Sequence, residues 1–284
     1  MRTPMRAAET SLHKRLGTGC CSRQPSHSDM QRWSGRVALV TGASVGIGAG
    51  LVKALVKHGM KVVGCARNVD KIQKLADDLK DEPGMVKAIR RDVSKEEDVM
   101  AMFQMIRADP DLGGVDVCIN NAGLAHNEPL LTGSTPLWRE MVDVNILGLC
   151  MCSREAFKSM QERKVDDGHI ILLNSLSGHR VMPLRAMHFY SATKFAVTGL
   201  CEGLRQELRE MKSGIRVTSI SPRLVQTDFF SRMYKDEEKS KSGFRHLVQP
   251  LQTEDIVSTI VFALQSPEHM EIIDLLVKPT SEAS

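Results

Sequence analysis

The sequence predicts a single α/β domain, in which about seven parallel strands form a doubly wound sheet with helices on both faces. Short apolar runs rich in β-branched residues alternate with helical segments along most of the chain, a pattern typical of buried parallel strands. The 284 residues are 42% hydrophobic and 25% charged, which suits one sizeable domain of this class. We expect this domain to span residues 33–284, after a disordered N-terminal extension at residues 1–32.

Strands and helices are expected in strict alternation along this domain. The expected strands are the apolar runs at residues 37–40, 61–65, 86–89, 115–119, 169–174, 216–220 and 272–277. Helices are expected to begin near Gly46, Asp70, Lys95, Pro136, Phe189 and Thr253. Ser94 with Glu97 resembles a capping box, and the acidic residues after Thr253 indicate another helix start.

The first strand runs directly into a glycine-rich turn and then a helix. Gly42, Gly46 and Gly48 allow the backbone to turn tightly and to approach a bound group closely. The first N–H groups of the following helix favour a phosphate at this point. An ordinary glycine-rich turn between a strand and a helix is the alternative.

A phenol and an ammonium group stand four residues apart, at Tyr190 and Lys194. On a helix this spacing places both side chains on one face. A phenol titrates near ~10 in water, so it relays protons at neutral pH only when a neighbouring cation stabilises the phenolate. Lys194 is expected to be that cation, although such pairs also occur on exposed helix faces.

Three motifs, taken in order, resemble those of the short-chain dehydrogenase/reductase family. They are Thr41-Gly42-x-x-x-Gly46-x-Gly48, Asn120-Asn-Ala-Gly123 and Tyr190-x-x-x-Lys194. The resemblance extends from about Trp33 to the C-terminus and implies a Rossmann-type domain that binds a nicotinamide dinucleotide. Segments 178–183, 188–194 and 202–210 are most similar to members that reduce carbonyl groups with NADP(H), which implies ketosteroids or similar apolar ketones as substrates.

Two alternatives to a carbonyl reductase stay open. In one, the fold has weakened catalysis and serves binding or assembly, which would normally leave the motif residues eroded; all of them are present. In the other, the enzyme catalyses epimerisation or dehydration. That alternative is less favoured because the chain is short for the extended epimerase type and its glycine spacing differs.

The cofactor site is assigned by matching this chain to the family's motifs. The matching residues are Gly42, Ser44, Val45, Gly46, Ile47, Gly48, Arg67, Asn68, Asp92, Val93, Asn121, Gly123, Tyr190, Lys194, Val225 and Thr227. After the second strand the chain has Arg67 and Asn68 instead of a carboxylate, and an arginine can pair with a 2′-phosphate, so NADP(H) is predicted. Val45 replaces the family's other frequent basic residue, so Arg67 is expected to act largely alone. Asp92 matches the position that holds the adenine, with a strand-ending turn aspartate as the alternative.

The resemblance also implies four catalytic residues. Tyr190 would be the general acid in carbonyl reduction and the base in the reverse reaction, while Lys194 would lower its pKa and bond the nicotinamide ribose. Ser175 would bind the developing oxyanion and, with Tyr190, the substrate; Ser177, closer in sequence to Tyr190, is the competing serine. Asn145 matches the helix asparagine that orders a proton-relay water.

One position departs from the family's pattern. Arg223 stands where the family usually has the glycine of a Pro-Gly pair after the sixth strand. If that backbone needs a positive φ or a close approach to the nicotinamide, arginine would strain it and weaken cofactor binding. Val225 and Thr227 still match the residues that contact the carboxamide.

An apolar, adaptable substrate cavity is expected beside the tyrosine. The candidate lining residues are Met182, Met187, Phe229, Phe230 and Met233, although some could simply pack in the core. Residues 229–248, which include a charged run at 235–239, are expected to cover the substrate, with a solvated surface helix as the alternative. His188 is expected to be a structural polar residue.

Charge, cysteine content and hydropathy argue against several other classes. The net charge of +4 is small and dispersed, so nucleic-acid binding is not indicated. Seven cysteines without a Cys-x-x-Cys pair indicate neither a disulfide framework nor a metal site, and Cys65 and Cys118 are expected to be core fillers. No apolar run approaches the ~18–20 residues that cross a bilayer.

The expected location is the cytoplasm, and the expected assembly is a homodimer or homotetramer. The Arg- and Ser-rich N-terminal extension loosely resembles a mitochondrial presequence, which is the alternative location. The assembly is implied by the family resemblance alone, through the helices that carry Asn145 and Tyr190.

Overall fold

The computed structural model describes residues 29–234 and 249–281, which form a seven-stranded sheet. Its strands are β1 (Val37–Thr41), β2 (Lys61–Ala66), β3 (Met85–Arg90), β4 (Val117–Asn120), β5 (His169–Leu173), β6 (Arg216–Pro222) and β7 (Asp274–Val277). Their order across the sheet is β3-β2-β1-β4-β5-β6-β7, and neighbouring strands are parallel. The strand order therefore reverses between β1 and β4, and the predicted doubly wound architecture is confirmed.

Helices cover both faces of this sheet. They are α1 (Gly46–Lys57), α2 (Asp70–Asp78), α3 (Glu96–Ala108), α4 (Thr135–Val142), α5 (Leu149–Glu162), α6 (His188–Glu210), α7 (Phe229–Tyr234) and α8 (Thr253–Gln265). A π-helical segment, Asp143–Gly148, joins α4 to α5. Short 3₁₀ segments occur at Asp29–Trp33, Leu176–Gly178 and Arg185–Met187.

Two apolar cores lie on the two faces of the sheet. Successive residues of β1 show the division: Val37 and Leu39 belong to one core, and Ala38 and Val40 to the other. The first core is closed by α3, α5 and α6, and the second by α1, α2 and α8. Successive side chains of a strand point to opposite faces of the sheet, and helices cover both faces. Every residue of β1 is therefore buried.

Several element boundaries differ from those expected. β4 begins at Val117 rather than at Val115, because the Val115 N–H donates to Ser159 Oγ at 3.0 Å instead of to a neighbouring strand. β7 likewise begins two residues later than predicted, at Asp274. The remaining strands start within one residue of the expected position.

The two predicted helix starts have different outcomes. The capping box expected at Ser94 and Glu97 is wrong, because Ser94 Oγ donates to Asp92 Oδ1 at 2.8 Å and α3 begins at Glu96. α8 does begin at Thr253 and has a capping box, but Gln252 and Asp255 form it.

The N-terminal end of the described chain packs against the last helix. Trp33 is fully buried, and its Nε1 donates to the Leu264 carbonyl at 2.9 Å; Met30 is buried beside it. Most of the extension predicted at residues 1–32 lies outside the described residues. No helix in the described part of the chain is both long and apolar enough to cross a membrane. Cys65 and Cys118 are buried and unpaired, as predicted.

Candidate active site

The site is built where β1 and β4 end side by side, at the reversal in strand order. Ligands of doubly wound sheets bind at this point because the loops on either side separate to leave a crevice. Thr41 Oγ1 accepts the backbone N–H groups of Asn121 and Ala122 at 3.1 and 3.0 Å. The Asn121 side chain donates back to the carbonyls of Thr41 and Gly42, at 2.8 and 3.1 Å. Asn121 therefore holds the glycine loop against the end of β4, and so does Thr41, the first residue of the glycine motif, which was not among the expected cofactor-binding residues.

The glycine loop has the backbone geometry that a phosphate cradle requires. Gly42 and Gly46 have φ angles of +66° and +55°, which favour glycine over other residues. A Cβ on Gly48 would lie 2.3 Å from the Gly42 carbonyl oxygen and 2.6 Å from Asn121 Nδ2, so the helix start approaches the loop too closely for a side chain. Val45 precedes α1 in an extended conformation with no side-chain cap, which leaves the first helical N–H groups for a ligand. The remaining expected loop residues, Ser44 and Ile47, are half-buried on the same turn.

A basic cavity of about 400 Å³ opens beside the carboxyl ends of β2 and β3. Its lining residues are Arg67, Arg90, Arg91, Asp92, Lys95 and Asp98. The sequence led us to expect Arg67 to act largely alone, whereas Arg90, Arg91 and Lys95 line the same cavity. Arg91 and Lys95 were missed because they follow the third strand, and only the parallel pairing of β2 with β3 brings them beside Arg67.

Three other expected cofactor residues, Asn68, Asp92 and Val93, lie in or next to this cavity in sequence. Asp92 Oδ1 accepts from the N–H and the Oγ of Ser94, at 3.0 and 2.8 Å, as a turn aspartate would. Burial alone would raise the pKa of Asp92, but the Ser94 hydrogen bonds and the nearby charges of Arg67 and Lys95 hold it below its ordinary value. Asn68 is exposed and Val93 is buried.

Tyr190 and Lys194 lie in the first two turns of α6, and both are buried. Lys194 Nζ donates to the Leu173 carbonyl at 2.8 Å and lies 5.8 Å from the centre of the tyrosine ring. Burial lowers the pKa of Lys194 from 10.5 to about 8. Burial also raises the pKa of Tyr190, and a hydrogen bond with the Ser175 side chain opposes this rise in part. The sequence predicts that Lys194 lowers this pKa; in the structure the Ser175 side chain lowers it, and Lys194 Nζ donates to a backbone carbonyl.

Of the two candidate serines, Ser175 is the one whose side chain lowers the pKa of Tyr190. Ser175 precedes the 3₁₀ segment Leu176–Gly178 in an extended conformation, and its Oγ accepts the Ser177 N–H at 3.1 Å. That bond holds the Ser175 side chain at the start of the 3₁₀ segment. Ser177 itself is buried.

Asn145 lies in the π-helical segment, which the sequence did not predict. Its Nδ2 donates to the Leu124 carbonyl at 2.8 Å and to Thr193 Oγ1 at 3.1 Å, and its Oδ1 accepts the Leu124 N–H at 2.9 Å. A Cβ on Gly123 would lie 3.4 Å from Asn145 Oδ1 and 3.9 Å from Lys194 Nζ. The loop after β4 therefore lies between Asn145 and Lys194. The π-helical segment that carries Asn145 is of a kind often found at functional sites.

An apolar cluster surrounds the tyrosine. Its members include four of the five residues expected to line the cavity (Met182, Met187, Phe229 and Met233), together with Ala125, Trp138, Met141 and Phe189. The Tyr190 and Phe229 rings meet edge to face with centroids 5.6 Å apart, and Trp138 stacks on Phe189 at 5.2 Å. No pattern in the sequence indicates Trp138 as a member, because α4 reaches the cluster only through the tertiary fold. The side chain of Phe230 and the charged run at 235–239 lie outside the described residues, and His188 is half-buried at the start of α6.

Arg223 continues the sheet without backbone strain. Among the residues that the structure describes, the non-glycine residues with positive φ are Lys164 and Lys212, so the strain expected at Arg223 is absent. The Arg223 N–H donates to the Val277 carbonyl at 2.7 Å. Val225 then pairs with Leu251 in a parallel bridge, and the Thr227 methyl group would lie 3.4 Å from a Cβ on Gly46.

Comparison with known proteins assigns the chain to a protein family. The short chain dehydrogenase family matches residues 36–238, and the chain belongs to this family of oxidoreductases, which use a nicotinamide cofactor. It is 52% identical over 257 residues to dehydrogenase/reductase SDR family member 11 of Gallus gallus, covering 90% of this chain and 100% of that one. This similarity confirms the family membership that the three motifs predict.

The chain also resembles dehydrogenases of lower sequence identity that have other names. Farnesol dehydrogenase of Aedes aegypti is 41% identical to the chain, and the match covers 89% of this chain and 99% of that one. The closed form of serine dehydrogenase complexed with NADP+ has a TM-score of 0.78 at 30% identity, covering 87% of this chain and 96% of that one.

Proposed function

We propose that this protein reduces carbonyl groups with NADPH, and oxidises the corresponding alcohols with NADP+, on ketosteroids or similar apolar ketones. The observation that carries the proposal is the buried Tyr190 hydroxyl, which lies in an apolar cluster one helical turn from Lys194 and whose pKa the Ser175 side chain lowers against the effect of burial. Such a group can deliver a proton only to an oxygen that enters the same apolar space.

Each of the four proposed catalytic residues would have a separate role in this reaction. When bound, the reduced nicotinamide supplies the hydride to the carbonyl carbon. Tyr190 would donate its proton to the substrate oxygen, and Ser175 would hydrogen-bond that oxygen as negative charge develops on it. Lys194 would stabilise the phenolate left behind and bond the ribose hydroxyls. Asn145 would order the water through which the proton is replaced.

The residues present fit a dinucleotide with a 2′-phosphate. The glycine loop suits a pyrophosphate, because a Cβ at Gly48 would collide with backbone. The cavity beside β2 and β3 carries four cationic side chains against two carboxylates, which favours NADP(H) over NAD(H).

The cofactor proposal is tested by binding rather than by turnover. Arg67→Ala should raise the NADPH dissociation constant about 10-fold, the size of one lost charge-assisted contact, and leave that of NADH within about twofold. Arg107→Ala is the control, because Arg107 is similarly exposed and pairs with Glu162 at 2.7 Å, away from the cavity. Equal loss of NADPH and NADH affinity on Arg67→Ala would contradict the assignment.

The reaction is tested with NADPH and three ketones of different polarity: estrone, acetophenone and pyruvate. Oxidation of NADPH should occur with the two apolar ketones and be slow with pyruvate, since burying a carboxylate in the apolar cluster is unfavourable. Tyr190→Phe should reduce turnover at least about 1,000-fold while leaving the NADPH dissociation constant nearly unchanged, because the hydroxyl serves the reacting oxygen. Substantial turnover by the phenylalanine variant would exclude Tyr190 as the acid.

We also propose a cytoplasmic homodimer or homotetramer. The mitochondrial alternative depends on residues 1–32. Comparing fluorescent fusions of the full chain and of residues 33–284 in cells tests it, since only a targeting segment would make the two fusions differ in location.

A further inference from the structure

A histidine, a serine and an aspartate meet behind the loop that carries Ser175. His179 Nε2 lies 2.9 Å from Ser221 Oγ and 3.0 Å from Asp274 Oδ2, and Ser221 Oγ donates to Asp274 Oδ1 at 2.9 Å. Ser221 is fully buried, and the side chains of His179 and Asp274 are only 23% and 20% exposed. We call these three residues the His179 cluster; they come from the loop after β5, from β6 and from β7.

The hydrogen-bond directions within the His179 cluster follow from the acceptor. An ionised carboxylate only accepts, so the Ser221 hydroxyl and the His179 Nε2–H both donate to Asp274. Each Asp274 oxygen then has its own donor, and the imidazole ring is fixed to the ends of β6 and β7. This fixes the direction in which the backbone leaves residue 179.

The backbone next to His179 is the turn that presents Ser175. His179 directly follows the 3₁₀ segment Leu176–Gly178, and Ser175 caps the start of that segment. The turn is also held against α6: Thr198 Oγ1 donates to the Gly178 carbonyl at 3.0 Å, and a Cβ on Gly178 would lie 2.6 Å from the Lys194 carbonyl oxygen. α6 therefore holds one side of the turn, and the His179 cluster holds the other.

We propose that His179 is a positioning residue: through Ser221 and Asp274 it holds the 3₁₀ turn so that the Ser175 hydroxyl meets the Tyr190 hydroxyl. The inference rests on the proposed function for its effect on turnover, but not for its effect on the Ser175–Tyr190 contact. It requires no contact between His179 and the substrate. Loss of the cluster should therefore reduce the rate of the chemical step more than the binding of either ligand.

Kinetics supply the first test. With NADPH and acetophenone, His179→Leu should lower kcat about 10- to 100-fold, because misplacing an oxyanion donor by a fraction of an ångström costs that much. The NADPH dissociation constant should change less than about twofold. His179→Gln, whose amide N–H can reach the same acceptor, should restore most of kcat. Asp167→Asn is the control, since it breaks the Arg36 ion pair before β5, at the opposite end of the strand, and should leave kcat unchanged.

A spectroscopic test does not depend on turnover. The chain has two tyrosines, so in a Tyr234→Phe background ¹³C-labelled tyrosine gives one Cζ resonance, that of Tyr190. His179→Leu and Ser175→Ala should shift this resonance in the same direction, because both take the Ser175 hydroxyl away from Tyr190, whereas His179→Gln and Asp167→Asn should leave it in place. Asp274→Asn provides a second way to disturb the cluster if His179→Leu does not fold.

The two tests separate the possible failures. If none of the ketones is reduced by the wild-type protein, the proposed function fails and the resonance still decides the positioning inference. If His179→Leu and Asp274→Asn both leave the Tyr190 resonance unchanged, the inference is wrong whatever the kinetics show. A shifted resonance with an unchanged kcat would also overturn it.

Discussion

Lys194 is a buried ammonium group whose ionisation links the candidate site to stability. Its pKa is about 8 in the folded protein and 10.5 in its ordinary environment, because burial disfavours the charged form. Between these values the unfolded chain binds more protons than the folded one, so this lysine makes stability rise as the pH increases from about 8 to 10.5. At pH 7 its burial therefore costs stability, on the order of 3 kcal/mol.

Replacing Lys194 with an apolar residue should increase stability and impair function. Lys194→Met should be more stable than the wild type at pH 7, and this advantage should shrink by pH ~10 as the wild-type lysine loses its proton. Urea unfolding followed by circular dichroism at both pH values measures the difference. Lys53→Met, a substitution at an exposed position on α1, corrects for the added apolar side chain. An advantage of constant size across this pH range would show that Lys194 is not buried as a charged group.

Individual site residues could be predicted from the sequence when a local motif marked them. Tyr190 and Lys194 share one helix, so their spacing alone placed them together. The Ser175 contact needed the 3₁₀ turn, and sequence separation left Ser175 and Ser177 undecided. His179 could not be predicted, because its partners come from strands far along the chain and meet only through the pairing of β6 with β7.

At the scale of elements, the turn between β1 and α1 depends on close backbone approach. A Cβ on Gly48 would lie 2.3 Å from the Gly42 carbonyl oxygen, a backbone atom that cannot move without opening the loop. Gly48→Ala should therefore raise the NADPH dissociation constant at least about 10-fold and lower the free energy of unfolding by about 1–3 kcal/mol. Fluorescence titration with NADPH and urea unfolding measure the two effects.

A glycine in α6 provides the matched control. A Cβ on Gly203 would meet no atom within 4 Å, so Gly203→Ala should leave cofactor binding unchanged and stabilise the helix by about 0.5–1 kcal/mol. If the two substitutions had equal effects on NADPH binding, the close approach at Gly48 would not be what shapes the phosphate site.

The sequence was least informative where tertiary contacts override local preference. A helix was expected to begin near Pro136, and within it residues Asp143–Gly148 are π-helical; a Cβ on Gly148 would lie 2.7 Å from the Val93 carbonyl oxygen. That packing against the loop after β3 is non-local, so no helical periodicity could signal it. The capping box expected at Ser94 failed for a similar reason, since Asp92 competes for the serine hydroxyl.

For the whole molecule, the fold could be predicted because the five inner strands are buried on both sides. Alternate residues of β1 enter different cores, and this requires helices on both faces and hence the alternation of strand and helix read from the sequence. The contents of the basic cavity could not be predicted in the same way. They depend on which strands become neighbours, and Arg91 becomes a neighbour of Arg67 only in the order β3-β2-β1.

The assembly of the molecule is expected to use the helices that carry the candidate site. Leu147, in the π-helical segment, and Phe195, in α6, are 49% and 42% exposed, so these two elements present large apolar side chains that a second copy of the chain could cover. In a twofold-symmetric interface each residue occurs twice, so a single acidic substitution brings two like charges together. Phe195→Glu and Leu147→Glu should therefore reduce the mass measured by light scattering after size exclusion to half or a quarter of the wild-type value. Met100→Glu, at a 44% exposed position on α3, should keep the wild-type mass. A wild-type protein that is monomeric at every concentration, or a Phe195→Glu variant that keeps the full mass, would show that these helices do not form the interface.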